Sequence, residues 1–395
     1  MNPTATLLAP HLDQALTQIR ANLDAFGDAF PDDCTVAGRY QLRPAGSGQP
    51  AGSNLGWTTG FRTGLLWLAH EHTGEAMFKA AAGRDVASFA RRIAGAIDTE
   101  THDLGFLYVP SCVAAWRLTG DQRGRAAALA AAQALMGRII EPAGIVQAWG
   151  DLDDPTQQGR TIIDSLMNMP LFYWAGRQTG DPTYVRAAVR HVTQLRDHII
   201  RDDDSTFHTF WWDPVSGAPL RGSTQQGHSD SSCWARGQAW GIYGFALNYR
   251  LSGDPTFLAA AQRCARYYLD HLPVDLVPYW DMVFTDGSAE PRDSSAAAIA
   301  ACGLIELASN LPPGPERERY QGWAVATVDS LALGYTPPPA GLASGLLAHG
   351  VYDMPKHVGV DEANLWGDYY YFEALTRLAR PGWTPYWRQP VRSES

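Results

Sequence analysis

Charge is scarce in this sequence. Only 18% of its 395 residues are charged, against 45% hydrophobic. That balance excludes a disordered chain and fits a large buried core. Basic residues are the minority, the formal charge is −10, and no basic stripe is present to neutralise phosphates. A nucleic-acid partner is therefore excluded. No window approaches the roughly 20 apolar residues that a membrane helix needs. The stretch "MNPTATLLAPHLDQALTQIRANL" carries no positive leader and too short an apolar run for a signal peptide. The five cysteines (Cys34, Cys112, Cys233, Cys264, Cys302) are scattered, odd in number and without C-x-x-C spacing. They read as reduced thiols of a cytoplasmic protein. Glycine-rich phosphate loops, nucleophile elbows and dinucleotide fingerprints are also missing.

What is present begins with tryptophan, 14 residues, and glycine, 38. So much tryptophan serves either core packing or flat platforms for sugar rings. Length alone suggests two or three domains. A repeat argues for fewer. The turns "EHTGEAMF", "RLTGDQRG", "RQTGDPTY" and "RLSGDPTF" share Thr or Ser, then Gly, then an acid. Glycine ends one helix in the left-handed conformation, and the acid caps the next. Pro182 and Pro255 occupy a favoured first helical position.

Segments before these turns, such as "SLMNMPLFYWAGRQ", look buried all round. Those after them, such as "PTYVRAAVRHVTQLRDHII", are amphipathic. Six segments of the first kind alternate with six of the second. The repeat length is too variable for an open solenoid. The expectation is one all-α (α/α)6 barrel over 1–395, with six inner and six outer helices. "TFHTFWWDPVSGAPL" reads as a short hairpin in a loop.

Inner-to-outer turns are short. Outer-to-inner connections are long, at 27–56, 98–107, 140–163, 200–231, 272–293 and 334–366. Long loops are usually functional, and all of these emerge where the inner helices begin. They define a mouth, the natural pocket. Its candidate residues are Trp57, His102, Asp103, Trp149, Asp164, His208, Trp211, Trp212, Gln226, His228, Trp234, Arg236 and Trp240. Asp103 and Asp164 are the candidate acid pair, since two carboxylates facing one cavity do not both ionise cheaply. Asp103 also fits a turn aspartate and Asp164 an N-cap. His102, His208 and His228 match no metal-ligand spacing, and no metal or other cofactor is expected. Arg236 and Trp240 share one helix face. Arg236 suits either a substrate carboxylate or a buried ion pair with a neighbouring helix.

"HDLGFL", "IIDSLMNMPLFYWA", "SDSSCWARGQAWGIYGFALNYR", "DSSAAAIAACGLIEL" and "LWGDYYYFEALTRL" closely resemble motifs of the unsaturated glucuronyl hydrolases, glycoside hydrolase family 88. They run in order from about residue 54 to 380. The resemblance implies an (α/α)6 barrel and a metal-free reaction on oligosaccharides left by polysaccharide lyases. A carboxylic acid protonates C4 of the terminal 4,5-unsaturated uronic acid, water adds at C5, and the hemiketal opens to expel the remaining sugar. It implies Asp164 as general acid/base and Asp103 as the second essential aspartate. Trp57, His102, Trp149, His208, Gln226, Trp234, Arg236 and Trp240 fall on substrate-contact positions, with Arg236 and Gln226 suited to the uronate carboxylate. Ser231 and Cys233 depart from the family pattern without touching the acids. Lys356 and His357 lie in a loop that varies with the leaving sugar; they read as solvated, with a sulfate contact the alternative.

The expected partner is an unsaturated uronic-acid oligosaccharide, with no nucleic acid or membrane, and a monomer or homodimer is expected. The alternatives are an unsaturated rhamnogalacturonyl hydrolase on pectin fragments, a sugar epimerase on the same barrel, which would need facing histidine bases, and a catalytically dead carbohydrate-binding barrel.

Overall fold

The "TGD" turns build the architecture. Gly74, Gly120, Gly180 and Gly253 all adopt left-handed φ between 72 and 78°, and each N–H closes the end of the preceding helix. Asp121, Asp181 and Asp254 then cap the next helix by accepting its first free N–H groups. Glu75 does not cap as expected. Its carboxylate reaches Arg20 at 2.5 Å instead.

A computed structural model describes residues 3–337, 341 and 343–388. The remaining parts of the expected 1–395 domain and of the 334–366 loop lie outside the described residues. The helices are α1 (Pro3–Phe26), α2 (Thr59–Thr73), α3 (Ala76–Ala94), α4 (104–119), α5 (Gln122–Met136) and α6 (Met169–Thr179). They continue as α7 (Pro182–His198), α8 (Ala235–Ser252), α9 (Pro255–Asp270), α10 (Ser294–Asn310), α11 (Pro315–Gly334) and α12 (Leu365–Ala379). Within α4, Val109–Val113 forms a π turn around Pro110, which has no N–H to give the ladder.

The even-numbered helices form the inner ring. Each packs on the next, and α12 returns to α2, so the ring closes. Their burial is continuous: every residue of α8 from Ala235 to Asn248 is buried. The odd-numbered helices bury one stripe each. On α7 it is Tyr184, Ala188, His191, Val192 and Leu195, the 3–4 spacing of an amphipathic helix. This is the (α/α)6 barrel expected from the sequence.

The long connections carry short antiparallel pairs: β1 (Pro31–Val36) with β2 (Arg39–Leu42), β3 (Ile139–Ile140) with β4 (Ile145–Val146), and β8 (Gly350–Asp353) with β9 (Val358–Glu362). The expected hairpin in "TFHTFWWDPVSGAPL" is β6 (Thr209–Trp212) with β7 (Pro219–Ser223). It gains a third strand that the sequence reading missed, β5 (Arg160–Ile162), contributed by the preceding mouth loop.

Candidate active site

Two glycines let the inner helices crowd together at the mouth. A Cβ on Gly105 would lie 2.3 Å from Asn168 Cα, and one on Gly60 would lie 2.2 Å from the Phe106 carbonyl. That approach brings the start of α4, with Asp103, against the turn that carries Asp164. Backbone bonds between loops then fix the side chains. The His102 N–H donates to the Ala148 carbonyl at 2.8 Å, and the Ala148 N–H to the Arg160 carbonyl at 3.0 Å. Ile162 pairs with Thr209, and the Ile163 N–H donates to the His208 carbonyl at 3.1 Å. Three mouth loops are thereby knitted into one wall.

Asp164 is not an N-cap. It is the second residue of a 3₁₀ turn, Ile163–Met167, that precedes α6. Its Oδ1 is buried without a hydrogen-bond partner. His102 Nε2 stands between the carboxylates, 3.5 Å from Asp164 Oδ1 and 3.3 Å from Asp103 Oδ1. The Asp103 side chain is held by the Thr101 hydroxyl, which donates at 2.6 Å. Donor atoms of His102, Asp103 and Asp164 all lie within 4.8 Å of one another. Among the described residues this is the one cluster spaced to hold a metal ion.

Electrostatics separates the two acids. Burial pushes the Asp103 carboxyl up to about 6, against the opposing pull of Thr101, Arg138 and Arg92. Burial and then the Asp103 charge hold the Asp164 carboxyl well above the carboxylate range, against a smaller pull from Arg236. Of the two, Asp164 is the carboxyl that keeps its proton to higher pH, because it has less to offset its burial. Burial lowers His102 and His208 to about 3, so both rings are neutral. His208 Nδ1 accepts the Gln225 N–H at 3.2 Å, which puts its ring proton on Nε2.

These groups line a cavity of about 280 Å³. Trp57, His102, Asp103, Trp149, Asp164, His208, Gln226, Trp234, Arg236 and Trp240 all border it, so every residue carried over by the family resemblance meets in one place. Trp57 and Trp149 are half-buried, whereas Trp234 and Trp240 are buried. Trp240 packs on Phe106 and Tyr370 as part of the floor. The Trp57 indole N–H donates to Tyr352 Oη at 2.9 Å.

Arg236 shows the ion pair rather than a free fork. Its Nη1 meets Asp293 Oδ2 at 2.8 Å and also the Val351 carbonyl, and its Nη2 meets the Tyr352 carbonyl at 2.7 Å. Trp234 and Trp366 flank its guanidinium.

Three mouth candidates lie elsewhere. His228 packs on Trp280 and Phe284, Trp212 is buried, and Trp211 lies under Arg160 and Arg221. Ile162, Gln225, Tyr352 and Asp353 line the cavity without having been singled out. Lys356 also borders it, its ammonium 2.7 Å from Asp353 Oδ2, while His357 is exposed. Only the position of "YDMPK" in a mouth loop pointed to this group.

A helical barrel with an acid pair under an aromatic rim fits a carbohydrate-active enzyme. The family model described as Glycosyl Hydrolase Family 88 matches residues 36–324. The unsaturated glucuronyl hydrolase of Bacillus sp. (strain GL1) is 45% identical over 96% of this chain and 99% of its own. The crystal structure of unsaturated glucuronyl hydrolase from Streptococcus agalactiae superposes with a TM-score of 0.93 at 42% identity, covering 98% of this chain and 95% of that one. A mutant form of the Streptococcus agalactiae enzyme, complexed with dGlcA-GalNAc6S, matches with a TM-score of 0.85 at 40% identity, covering 97% and 94%. The chain belongs to glycoside hydrolase family 88.

Proposed function

We propose that this enzyme removes the terminal 4,5-unsaturated uronic acid from oligosaccharides released by polysaccharide lyases. The observation that carries the reading is the Asp164 carboxyl: buried, without a cationic partner, and beside the Asp103 charge. Such a group holds a transferable proton at neutral pH. Asp164 gives that proton to C4 of the vinyl ether. Positive charge develops at C5 and is shared with the ring oxygen. Water adds at C5 and returns one proton to the Asp164 carboxylate. The C5 hemiketal then opens to a ketone, leaving a hemiacetal at C1 that collapses and releases the next sugar.

Asp103 keeps the proton on Asp164 before the step, and its negative charge faces the developing cation. Neutral His102 lies between the two oxygens. Trp57 and Trp149 offer half-buried ring faces to the sugar, and Gln226 a polar contact to the uronate. The inner helices all begin at the mouth, so their N-terminal dipoles favour an anionic substrate there. With Arg236 committed to Asp293, its part in this reading is to hold β8 and the rim that carries Tyr352, Asp353 and Lys356.

An epimerase would need histidine bases facing one another; His102 and His208 border the cavity while His228 does not, and the relatives that match nearly the whole chain are unsaturated glucuronyl hydrolases. The reading takes the whole chain as a single catalytic domain. It places the enzyme in the cytoplasm, supported by five free, buried cysteines. Among the described residues, no helix is long and apolar enough to cross a membrane.

The test is loss of the near-ultraviolet absorbance of the enol ether across a panel of unsaturated disaccharides, sulfated and unsulfated. Wild type should bleach at least one member, and Asp164→Asn none. Bleaching by Asp164→Asn at the wild-type rate would refute the role given to Asp164. Its absence with wild type on every member, pectin fragments included, would refute the chemistry.

A further inference from the structure

His191 lies on outer helix α7, one layer behind the cavity, and is completely buried. The rest of that stripe is Tyr184, Ala188, Val192 and Leu195. An imidazole in such company needs partners, and its partners come from segments that build the site. Its Nδ1 accepts the Val146 N–H at 3.0 Å. That bond fixes the tautomer, so Nε2 carries the proton and donates it to the Ser165 hydroxyl at 2.7 Å. Thr161 Oγ1 donates to the same hydroxyl at 3.2 Å.

Each partner leads to one of the acids. Ser165 follows Asp164, and its backbone N–H favours the Asp164 carboxylate. Val146 lies two residues before Ala148, whose carbonyl takes the His102 N–H, and Asp103 comes next in the chain. Burial lowers His191 to about 3, so this bonding pattern does not change over the working pH range.

We propose that His191 is a positioning residue for the acid pair, clamping the Asp164 turn to the strand that orients His102 and Asp103. This inference rests on the reading of Asp164 as the proton donor. A shift of about 1 Å in a reacting group can cost roughly 100-fold in rate. The groups around Asp164 are Asp103 and His102 from the 98–107 loop, His208 from the loop before β6, Arg236 from α8 and Tyr370 from α12. None of them is bonded to His191, so a change in the pH profile of a His191 variant reports the geometry of the Asp164 turn.

The experiment uses the full chain and compares wild type, His191→Leu, His191→Gln, Ser165→Ala and Asp164→Asn. Enol-ether loss gives kcat and KM against pH, and circular dichroism gives the folded fraction and Tm. His191→Leu should lower kcat about 10- to 100-fold with KM within about twofold. Its alkaline limb should move up, because the Ser165 N–H that favours the Asp164 carboxylate is no longer aimed. Glutamine reaches the position of Nε2, so His191→Gln should recover about tenfold of the loss. Should His191→Leu not fold, Ser165→Ala must show the same split between kcat and KM.

Unchanged kcat per folded molecule with an unmoved limb would overturn the inference. So would His191→Gln no better than His191→Leu at equal folding. An inactive Asp164→Asn beside a fully active His191→Leu sinks this inference alone. An active Asp164→Asn sinks the reading of Asp164, and the inference with it.

Discussion

The barrel buries acids at both ends, and they are treated in opposite ways. At the closed end, Glu306 on α10 is fully buried. It meets Arg377, Arg250 Nε at 3.4 Å and Arg388 Nη2 at 3.3 Å. Glu373 on α12 takes the Tyr243 hydroxyl and Arg377 Nη1 at 3.3 Å. At the mouth, Asp103 and Asp164 are less completely buried, and among the described residues neither forms an ion pair with a guanidinium: Arg236 is committed to Asp293, and Arg138 and Arg92 pull on Asp103 only from a distance. The nearest ring, His102, is neutral. Burial is common to both ends, so the supply of cations decides the outcome. Charges that are paired tie helices together, and a carboxyl left unpaired keeps a proton it can give away.

The largest effect is expected at Asp164. Asp164→Asn should lower kcat by about 1,000-fold or more without lowering Tm, since an uncompensated buried carboxyl is removed. A retained kcat would put the chemistry elsewhere. At the other end, Glu306→Gln leaves Arg377 and Arg250 facing a neutral group. It should destabilise the fold by about 3 kcal/mol while kcat per folded molecule stays the same, read from denaturant unfolding alongside kinetics.

Arg236→Lys sharpens the boundary between the two treatments. One ammonium cannot serve Asp293 and two carbonyls together. Amide exchange in β8 and β9 should accelerate, with KM raised about tenfold. A raised KM without faster exchange would make Arg236 a direct substrate ligand.

The mouth should also carry a pH-dependent penalty. Asp103 rises from an ordinary 3.8 to about 6 in the fold. Its contribution to stability is therefore complete below about pH 4 and is lost as pH rises through 6. Asp103→Asn should be more stable than wild type at pH 7, by on the order of 1–2 kcal/mol, and equal to it below pH 4. Smallest of all, Asp254→Ala at a closed-end cap should lower Tm by about 1–2 °C and leave kcat unchanged.

Much of this was legible in the sequence, for local reasons. The "TGD" turns announce helix ends through glycine conformation and acid caps, and continuous against striped apolarity separates inner from outer helices. The mouth residues follow from loop length and from the family motifs. What stayed hidden depends on contacts between distant segments. That Asp164 lies on a 3₁₀ turn and does not cap follows from the pairing of β5 with β6, some 50 residues apart. The sequence offered an ion pair for Arg236 as one of two readings; choosing it, and Asp293 as the partner, needs α10 brought beside α8. His191 looked like any residue of an amphipathic stripe until β4 and Ser165 closed on it. Glu306 and Glu373 carry no motif, and only ring closure places Arg377 between them.

In the proposed reaction Asp164 is protonated at neutral pH because it is buried beside the Asp103 charge with no ion-paired cation of its own. Infrared difference spectroscopy between wild type and Asp164→Asn, followed from pH 4 to 9, measures this without relying on turnover. A protonated-carboxyl band assigned to Asp164 should persist at pH 7 and titrate at lower pH in Asp103→Asn. An Asp164 that gives only carboxylate bands at pH 7 would contradict it.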